Sequence, residues 1–110
     1  MWQRAQSFAA AVYGATTTMR GRDVVSLRSQ LRRASQSIAA NIAEGANAAG
    51  ARDFARYLQI SIGSASETES HLDLARRTSV VDDAVAMPLI DEVVEIRRML
   101  IVLRRRVLAG

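Results

Sequence analysis

The stretch from Gln30 to Gly45, QLRRASQSIAANIAEG, constrains the fold of this chain more than any other stretch. Its apolar residues recur at steps of three and four, which is typical of one side of an α-helix. They are Leu31, Ala34, Ile38 and Ile42. The polar residues of the same helix also share a side, and two of them, Ser37 and Asn41, are mediocre helix formers. Small polar groups in this position indicate a close helix–helix contact with side-chain hydrogen bonds across it.

Polar residues on the second and third predicted helices form one set. The set comprises Gln30, Ser37, Asn41, Glu44, Ser64 and Glu67. We interpret it as a buried hydrogen-bond network that fixes helix register, with one of its glutamates reaching Arg32 or Arg33. The alternative is a small hydrolase in which Glu44 and Glu67 perform acid–base chemistry. The set holds no histidine and no evident nucleophile, so the structural interpretation is favoured.

Apolar residues at helical spacing recur along the whole chain and predict four helices, at about residues 2–17, 23–46, 51–77 and 83–108. A chain of 110 residues with one proline and six glycines suits long helices in one domain, residues 1–110. The predicted fold class is all-α, an antiparallel up-down-up-down four-helix bundle. The few aromatic side chains are expected in the core: Trp2, Phe8, Tyr13, Phe54 and Tyr57.

The fourth predicted helix carries more apolar surface than one bundle can bury. The run from Met99 to Leu103 is apolar around a full helical turn, so a single side of the helix cannot cover it. Either this helix is central or its outer side meets another subunit. We favour the subunit and predict a homo-oligomer.

Two residues within the helices leave local questions. Gly63 lies inside the third helix, where glycine costs about 1 kcal/mol relative to alanine, so we expect close approach of another backbone there. Pro88 lies inside the fourth helix if that helix begins at Asp83. It is a favoured first residue if the helix begins at Met87. Both alternatives stay open on sequence.

The charge of the chain is unevenly distributed. All fifteen basic residues are arginine, and the net charge is +4. Residues 1–40 carry +5, residues 41–96 carry −6 and residues 97–110 carry +5. Basic ends around an acidic middle suit a nucleic-acid contact or self-association equally well.

Five arginines near the carboxyl end are the strongest candidates for a binding site. They are Arg97, Arg98, Arg104, Arg105 and Arg106. Repeated around an oligomer, they would form a basic ring that neutralises phosphates of RNA or DNA. The alternative is ordinary helix chemistry, with cations at a helix carboxyl end that pair with the acidic middle of the chain. No aromatic residue accompanies them, which argues against stacking of single-stranded bases.

Other chemistry finds little support in the sequence. The chain has no cysteine and one histidine, His71, so we predict no metal site and no cofactor. There is no Gly-rich phosphate loop. No run approaches the ~20 apolar residues of a membrane span, and a signal peptide is poorly matched. We therefore expect no membrane partner and a cytoplasmic location.

The motifs of the second and third helices resemble those of the bacterial four-helix-bundle proteins, also called the 23S ribosomal RNA intervening-sequence protein family. The matching segments are Gln30–Ala34, Ser37-Ile38, Asn41-Ile42, Glu44-Gly45, Asp53-Phe54, Tyr57-Leu58, Gly63-Ser64 and Glu67. The chain departs from the family's pattern after Gly45, where basic residues are often present and this chain has Ala46-Asn-Ala-Ala-Gly50. Thr68 replaces a usual apolar residue.

The resemblance implies a four-helix bundle that assembles as a homopentamer. The family is similar in fold to the accessory protein of diversity-generating retroelements. In that protein, the resemblance implies, a basic pentamer binds nucleic acid and a reverse transcriptase. We therefore predict a non-enzymatic, homo-oligomeric protein that binds RNA or DNA backbone through its arginines. The alternative is a scaffold that recruits a protein partner without contacting nucleic acid.

Overall fold

Four helices account for nearly the whole of the computed structural model. Helix α1 spans Trp2–Thr16, α2 Arg22–Ala46, α3 Ala51–Arg77 and α4 Asp83–Ala109. The structure describes residues 1–19 and 21–110, and the side chains of Arg22 and Asp23 are outside that description. Within it there is no strand, so the predicted all-α class is confirmed.

The helices pack as a closed set of four neighbours. Each helix contacts the next along the chain, and α1 also contacts α4. In the described part of the chain, α1 does not contact α3 and α2 does not contact α4. These diagonal helices therefore lie at opposite corners, and the molecule measures 47 × 21 × 19 Å.

The apolar rows predicted for α2, α3 and α4 supply the core. In α2, all four predicted residues are buried, and in α3 the buried row runs from Leu58 to Ala75. In α4 the buried residues are Ala86, Val93, Ile96 and Leu100. A smaller cluster around Met19 closes one end of the bundle.

The prediction for the aromatic side chains is right only in part. Phe8 is buried, and Phe54 and Tyr57 are half-buried against the bundle. Trp2 and Tyr13, in contrast, are 45% and 52% exposed, so their placement in the core was wrong. The buried row of α1 consists of Ala5, Phe8, Ala9, Val12 and Thr16. Trp2 and Tyr13 lie outside this row, which packs against α2 and α4.

The two local questions now have answers within this chain. Helix α4 begins at Asp83, and Pro88 lies inside it. A Cβ built on Gly63 would meet no heavy atom of the other described helices within 4 Å, so none of their backbones approaches it closely. Gly45 makes the close contact instead. A Cβ there would lie 2.7 Å from Cδ1 of Phe54 and 3.0 Å from Cβ of Tyr57.

Candidate nucleic-acid interface

The five carboxyl-terminal arginines of α4 do not share one environment. Arg97 faces α3, where its Nη1 donates to Oε1 of Glu69 at 2.5 Å and to Oγ of Ser66 at 3.3 Å. The charge of Arg97 is therefore compensated by a carboxylate from the acidic middle of the chain, as the alternative to phosphate binding predicts. Arg98 is 75% exposed and lies 3.6 Å from Glu95, a loose pair within the same helix.

The other three arginines have no carboxylate within salt-bridge distance among the side chains that the structure describes. Arg105 and Arg106 are exposed, whereas Arg104 is half-buried. Arg104 and Arg105 line a groove with Gln59 and Ile62 of α3. Nε of Arg104 is buried without a hydrogen-bond partner. This end of α4 therefore carries uncompensated positive charge.

Arginine and apolar residues alternate on the outer side of α4. We name this surface the α4 outer face, and its residues are Arg98, Met99, Val102, Arg105 and Arg106. Met99 is 38% and Val102 43% exposed, and both line a groove with Met1 at the start of α1. Leu100, in contrast, is fully buried. One bundle therefore covers only part of the apolar run, as the sequence predicted.

A bidentate ion pair fixes α1 beside this face. Nε and Nη2 of Arg4 each donate to a carboxylate oxygen of Glu92 at 2.7 Å. The hydrogen bonds from the Arg4 guanidinium hold the pKa of Glu92 below its ordinary value, against a smaller opposing effect of burial. The pair positions the start of α1 against the middle of α4.

The predicted polar set is only partly brought together. Oγ of Ser64 donates to Oγ of Ser37 at 2.9 Å, which joins α3 to α2. Nδ2 of Asn41 donates to the same Ser37 hydroxyl and to its carbonyl, both at 2.9 Å. These three residues form a chain of hydrogen bonds across the helix–helix contact.

The remaining members of the set bond elsewhere. Gln30 donates to Ser26 at 3.1 Å within α2, and Glu67 lies 3.4 Å from Nε2 of His71 within α3. Glu44 is exposed, and its carboxylate makes no hydrogen bond to the described residues. Gln30 and Glu67 line one groove with Ser37 and Ser64. Neither Glu44 nor Glu67 bonds to Arg32 or Arg33. Glu67 lines this groove and Glu44 does not, so the two glutamates of the hydrolase alternative do not share it.

Two buried hydroxyls of α3 were missing from the predicted set, and one of them, that of Ser61, bonds across to α2. Oγ of Ser61 donates to the carbonyl of Ile38 at 2.9 Å, and Oγ1 of Thr68 donates to the carbonyl of Ser64 at 2.7 Å. Both residues are fully buried. The signal was available, because each occupies a position in the apolar row of α3 where a hydroxyl must find a partner.

The sequence also did not predict that arginines of α2 bond together to the end of α1. Nη1 of Arg28 donates to the carbonyl of Met19 at 2.6 Å, and Nε of Arg32 donates to Oγ1 of Thr16 at 2.8 Å. The Arg32 guanidinium lies 3.8 Å from the ring centroid of Tyr13. Helical spacing shows that Arg28 and Arg32 share a side, but the pairing with α1 depends on tertiary structure.

The part of the chain that the structure describes offers neither a cluster of metal ligands nor a membrane-spanning helix. No three residues among histidine, aspartate and glutamate converge there as metal ligands. No described helix combines the length and apolarity needed to cross a membrane.

Comparison with known proteins assigns the chain to a family. The model of the 23S rRNA-intervening sequence protein family matches residues 1–102. The chain belongs to this family. The resemblance noted in the motifs of α2 and α3 is thereby confirmed.

A solved structure supports the assignment. The chain is similar to a protein of unknown function from the S23 ribosomal protein family of Bacteroides thetaiotaomicron. The two are 26% identical, the match covers 94% of this chain and 96% of that one, and the TM-score is 0.83. No curated protein matches the sequence. Family membership therefore supports the fold and does not identify an activity.

Proposed function

We propose that this protein is a non-enzymatic homo-oligomer that binds the phosphate backbone of RNA or DNA through the arginines of α4. The observation that carries the proposal is the uncompensated charge at the end of α4. Arg104, Arg105 and Arg106 have no carboxylate partner among the described residues, and Arg98 has only a loose one. Arginines free of ion pairs are available to release counterions from phosphates.

The exposed apolar side chains of α4 support assembly. Met99, Val102 and Leu108 are between 38% and 49% exposed on one helix. Burying them between subunits would remove apolar surface from water and bring the arginines of neighbouring copies together. The stoichiometry that we propose, a pentamer, comes from the family resemblance. Under this proposal the protein works in the cytoplasm.

We also propose that the bundle has the up-down-up-down arrangement. The pairs across each helix contact support it. Ser37 bonds to Ser64 while Gly45 lies against Phe54, so later residues of α2 meet earlier residues of α3. Short connections between consecutive helices support the same arrangement.

The test of the binding surface changes Arg98 and Arg105 together to glutamate. We expect this variant to lose binding to labelled RNA and DNA duplexes in a fluorescence anisotropy titration, with helicity and native mass unchanged. The matched control changes Arg52 and Arg77 to glutamate, an equal charge change on exposed positions of α3. Binding by the first variant at wild-type affinity would show that the arginines of α4 are not the contact.

A second candidate function is a scaffold that recruits a protein partner. The groove formed by Met99, Val102, Leu103 and Met1 favours it, because exposed apolar surface is typical of protein contacts. Native mass spectrometry separates the two. A homo-oligomer in which Val102→Asp abolishes assembly supports self-association through this groove, and a monomer leaves the groove free for another protein.

A further inference from the structure

A second basic surface lies on α2, on the side that faces the end of α1. We name it the α2 arginine surface, and it is lined by Val25, Arg28, Ser29, Arg32, Arg33 and Gln36. None of its three arginines has a carboxylate within salt-bridge distance among the residues that the structure describes. Because α2 and α4 do not contact each other there, this surface is separate from the α4 outer face.

Two of the three arginines of this surface are held in place by the end of α1 and the residues just after it. Arg32 donates from Nε to the Thr16 hydroxyl at 2.8 Å and from Nη2 to the carbonyl of Tyr13 at 3.3 Å. Arg28 donates to the carbonyl of Met19 just beyond α1. Such bonds stabilise the carboxyl end of a helix. All three acceptors are neutral, and no carboxylate of the described residues lies within salt-bridge distance of Arg28 or Arg32.

An exposed aromatic ring accompanies these arginines. The guanidinium of Arg32 lies 3.8 Å from the centroid of the Tyr13 ring, a cation–π arrangement. Tyr13 nevertheless stays 52% exposed. The pair therefore presents an exposed aromatic surface beside a cation. The absence of such a surface near the arginines of α4 argued against single-strand binding there, and that objection does not apply to α2.

We propose that the α2 arginine surface binds single-stranded nucleic acid. Arg28 and Arg33 contact phosphates, and one unpaired base stacks on the pair formed by Tyr13 and Arg32. A base within a duplex is already stacked between its neighbours, so only a single strand offers a free face to Tyr13. This site does not depend on the duplex contact proposed for α4, and either can hold without the other.

The test uses three variants of exposed side chains in the full chain: Tyr13→Leu, Tyr13→Phe and Arg33→Gln. The probes are a labelled oligothymidylate and a DNA duplex of equal length, measured by anisotropy over a range of salt. We expect Tyr13→Leu to bind the single strand about tenfold more weakly, because one base–aromatic stack is worth about 1.4 kcal/mol. Tyr13→Phe keeps the ring and should bind as the wild type does.

The arginine variant is tested by its salt dependence. Arg33→Gln should lower the slope of log affinity against log salt by about 0.7, the value for one phosphate contact with a single strand. Arg52→Gln, on the exposed first turn of α3, is the matched control and should leave the slope unchanged. Circular dichroism of each variant checks that helicity is retained.

Three outcomes would overturn the proposal. The first is a wild-type protein that does not bind the oligothymidylate, and the second is a Tyr13→Leu variant that binds it at wild-type affinity. The third is a Tyr13→Leu variant that loses duplex and single-strand binding equally, because stacking on Tyr13 would then not be the cause. Failure of the α4 proposal is recognised separately, by duplex binding that survives the change of Arg98 and Arg105.

Discussion

The contact between α2 and α3 differs from the outer face of α4. In the first, polar side chains are hydrogen-bonded within the chain, and in the second, apolar side chains stay exposed. Between α2 and α3, Ser37, Ser61 and Ser64 all have hydrogen-bond partners, and Gly45 lies directly against Phe54. On the α4 outer face, Met99 and Val102 remain exposed. The first region is closed within one chain, whereas the second leaves apolar side chains exposed. The first region holds the fold together, and our proposal assigns assembly and binding to the second.

The largest effect that tests this comparison is expected from Ile38→Ala. Ile38 is fully buried, and deleting most of a buried Ile side chain costs about 2–5 kcal/mol of stability. Urea unfolding followed by circular dichroism measures it. Val102→Ala is the matched change on the α4 outer face. It should cost the isolated chain little and act mainly on the native mass. Equal losses of stability at the two positions would contradict the distinction between the regions.

A smaller loss is expected from Gly45→Ala. The added methyl group would lie within 3 Å of the Phe54 ring, and such overpacking typically costs about 1–3 kcal/mol. Gly63→Ala serves as the control, since open space surrounds that position and alanine is the better helix former by about 1 kcal/mol. The midpoint of urea unfolding should fall for the first variant and rise for the second. A Gly63→Ala variant that unfolds more readily would show that a second subunit approaches that glycine.

The smallest effect is expected in the acid dependence of stability. The pKa of Glu92 is lower in the folded protein than its ordinary value of about 4.3, because Arg4 bonds its carboxylate. The stabilisation from this pair is therefore fully present above about pH 5 and is lost as the pH falls through the folded-state pKa. Glu92→Gln should unfold at a lower urea midpoint than the wild type near pH 7, and this difference should shrink as the pH falls below the folded-state pKa of Glu92. A difference that grows towards low pH would contradict this sign.

The sequence predicts the fold better than it predicts the sites, for a physical reason. The rows through Leu31 and Ile96 are buried as expected, because burial of an apolar helix side follows from local spacing alone. The exposed positions of Trp2 and Tyr13 follow instead from which helices α1 contacts, and spacing within α1 does not contain that information.

The contacts among the predicted polar residues could also be predicted only in part. Ser37, Asn41 and Ser64 meet because small side chains on one side of α2 face α3. Glu44 and Gln30 share that side in sequence but bond elsewhere or not at all, because longer side chains reach solvent from the edge of the contact. Pairing between helices, such as Arg32 with Tyr13, required the tertiary structure.

The central claim is that arginines without carboxylate partners bind phosphate, and one measurement tests it most directly. Labelled RNA and DNA duplexes are titrated with the wild-type protein at about 50 to 200 mM salt, with anisotropy as the readout. We predict micromolar or tighter binding at low salt. We also predict that the slope of log affinity against log salt is about −0.9 for each phosphate contacted. No binding at about 50 mM salt, or binding that ignores salt, would contradict the claim and leave these arginines to the fold and its assembly.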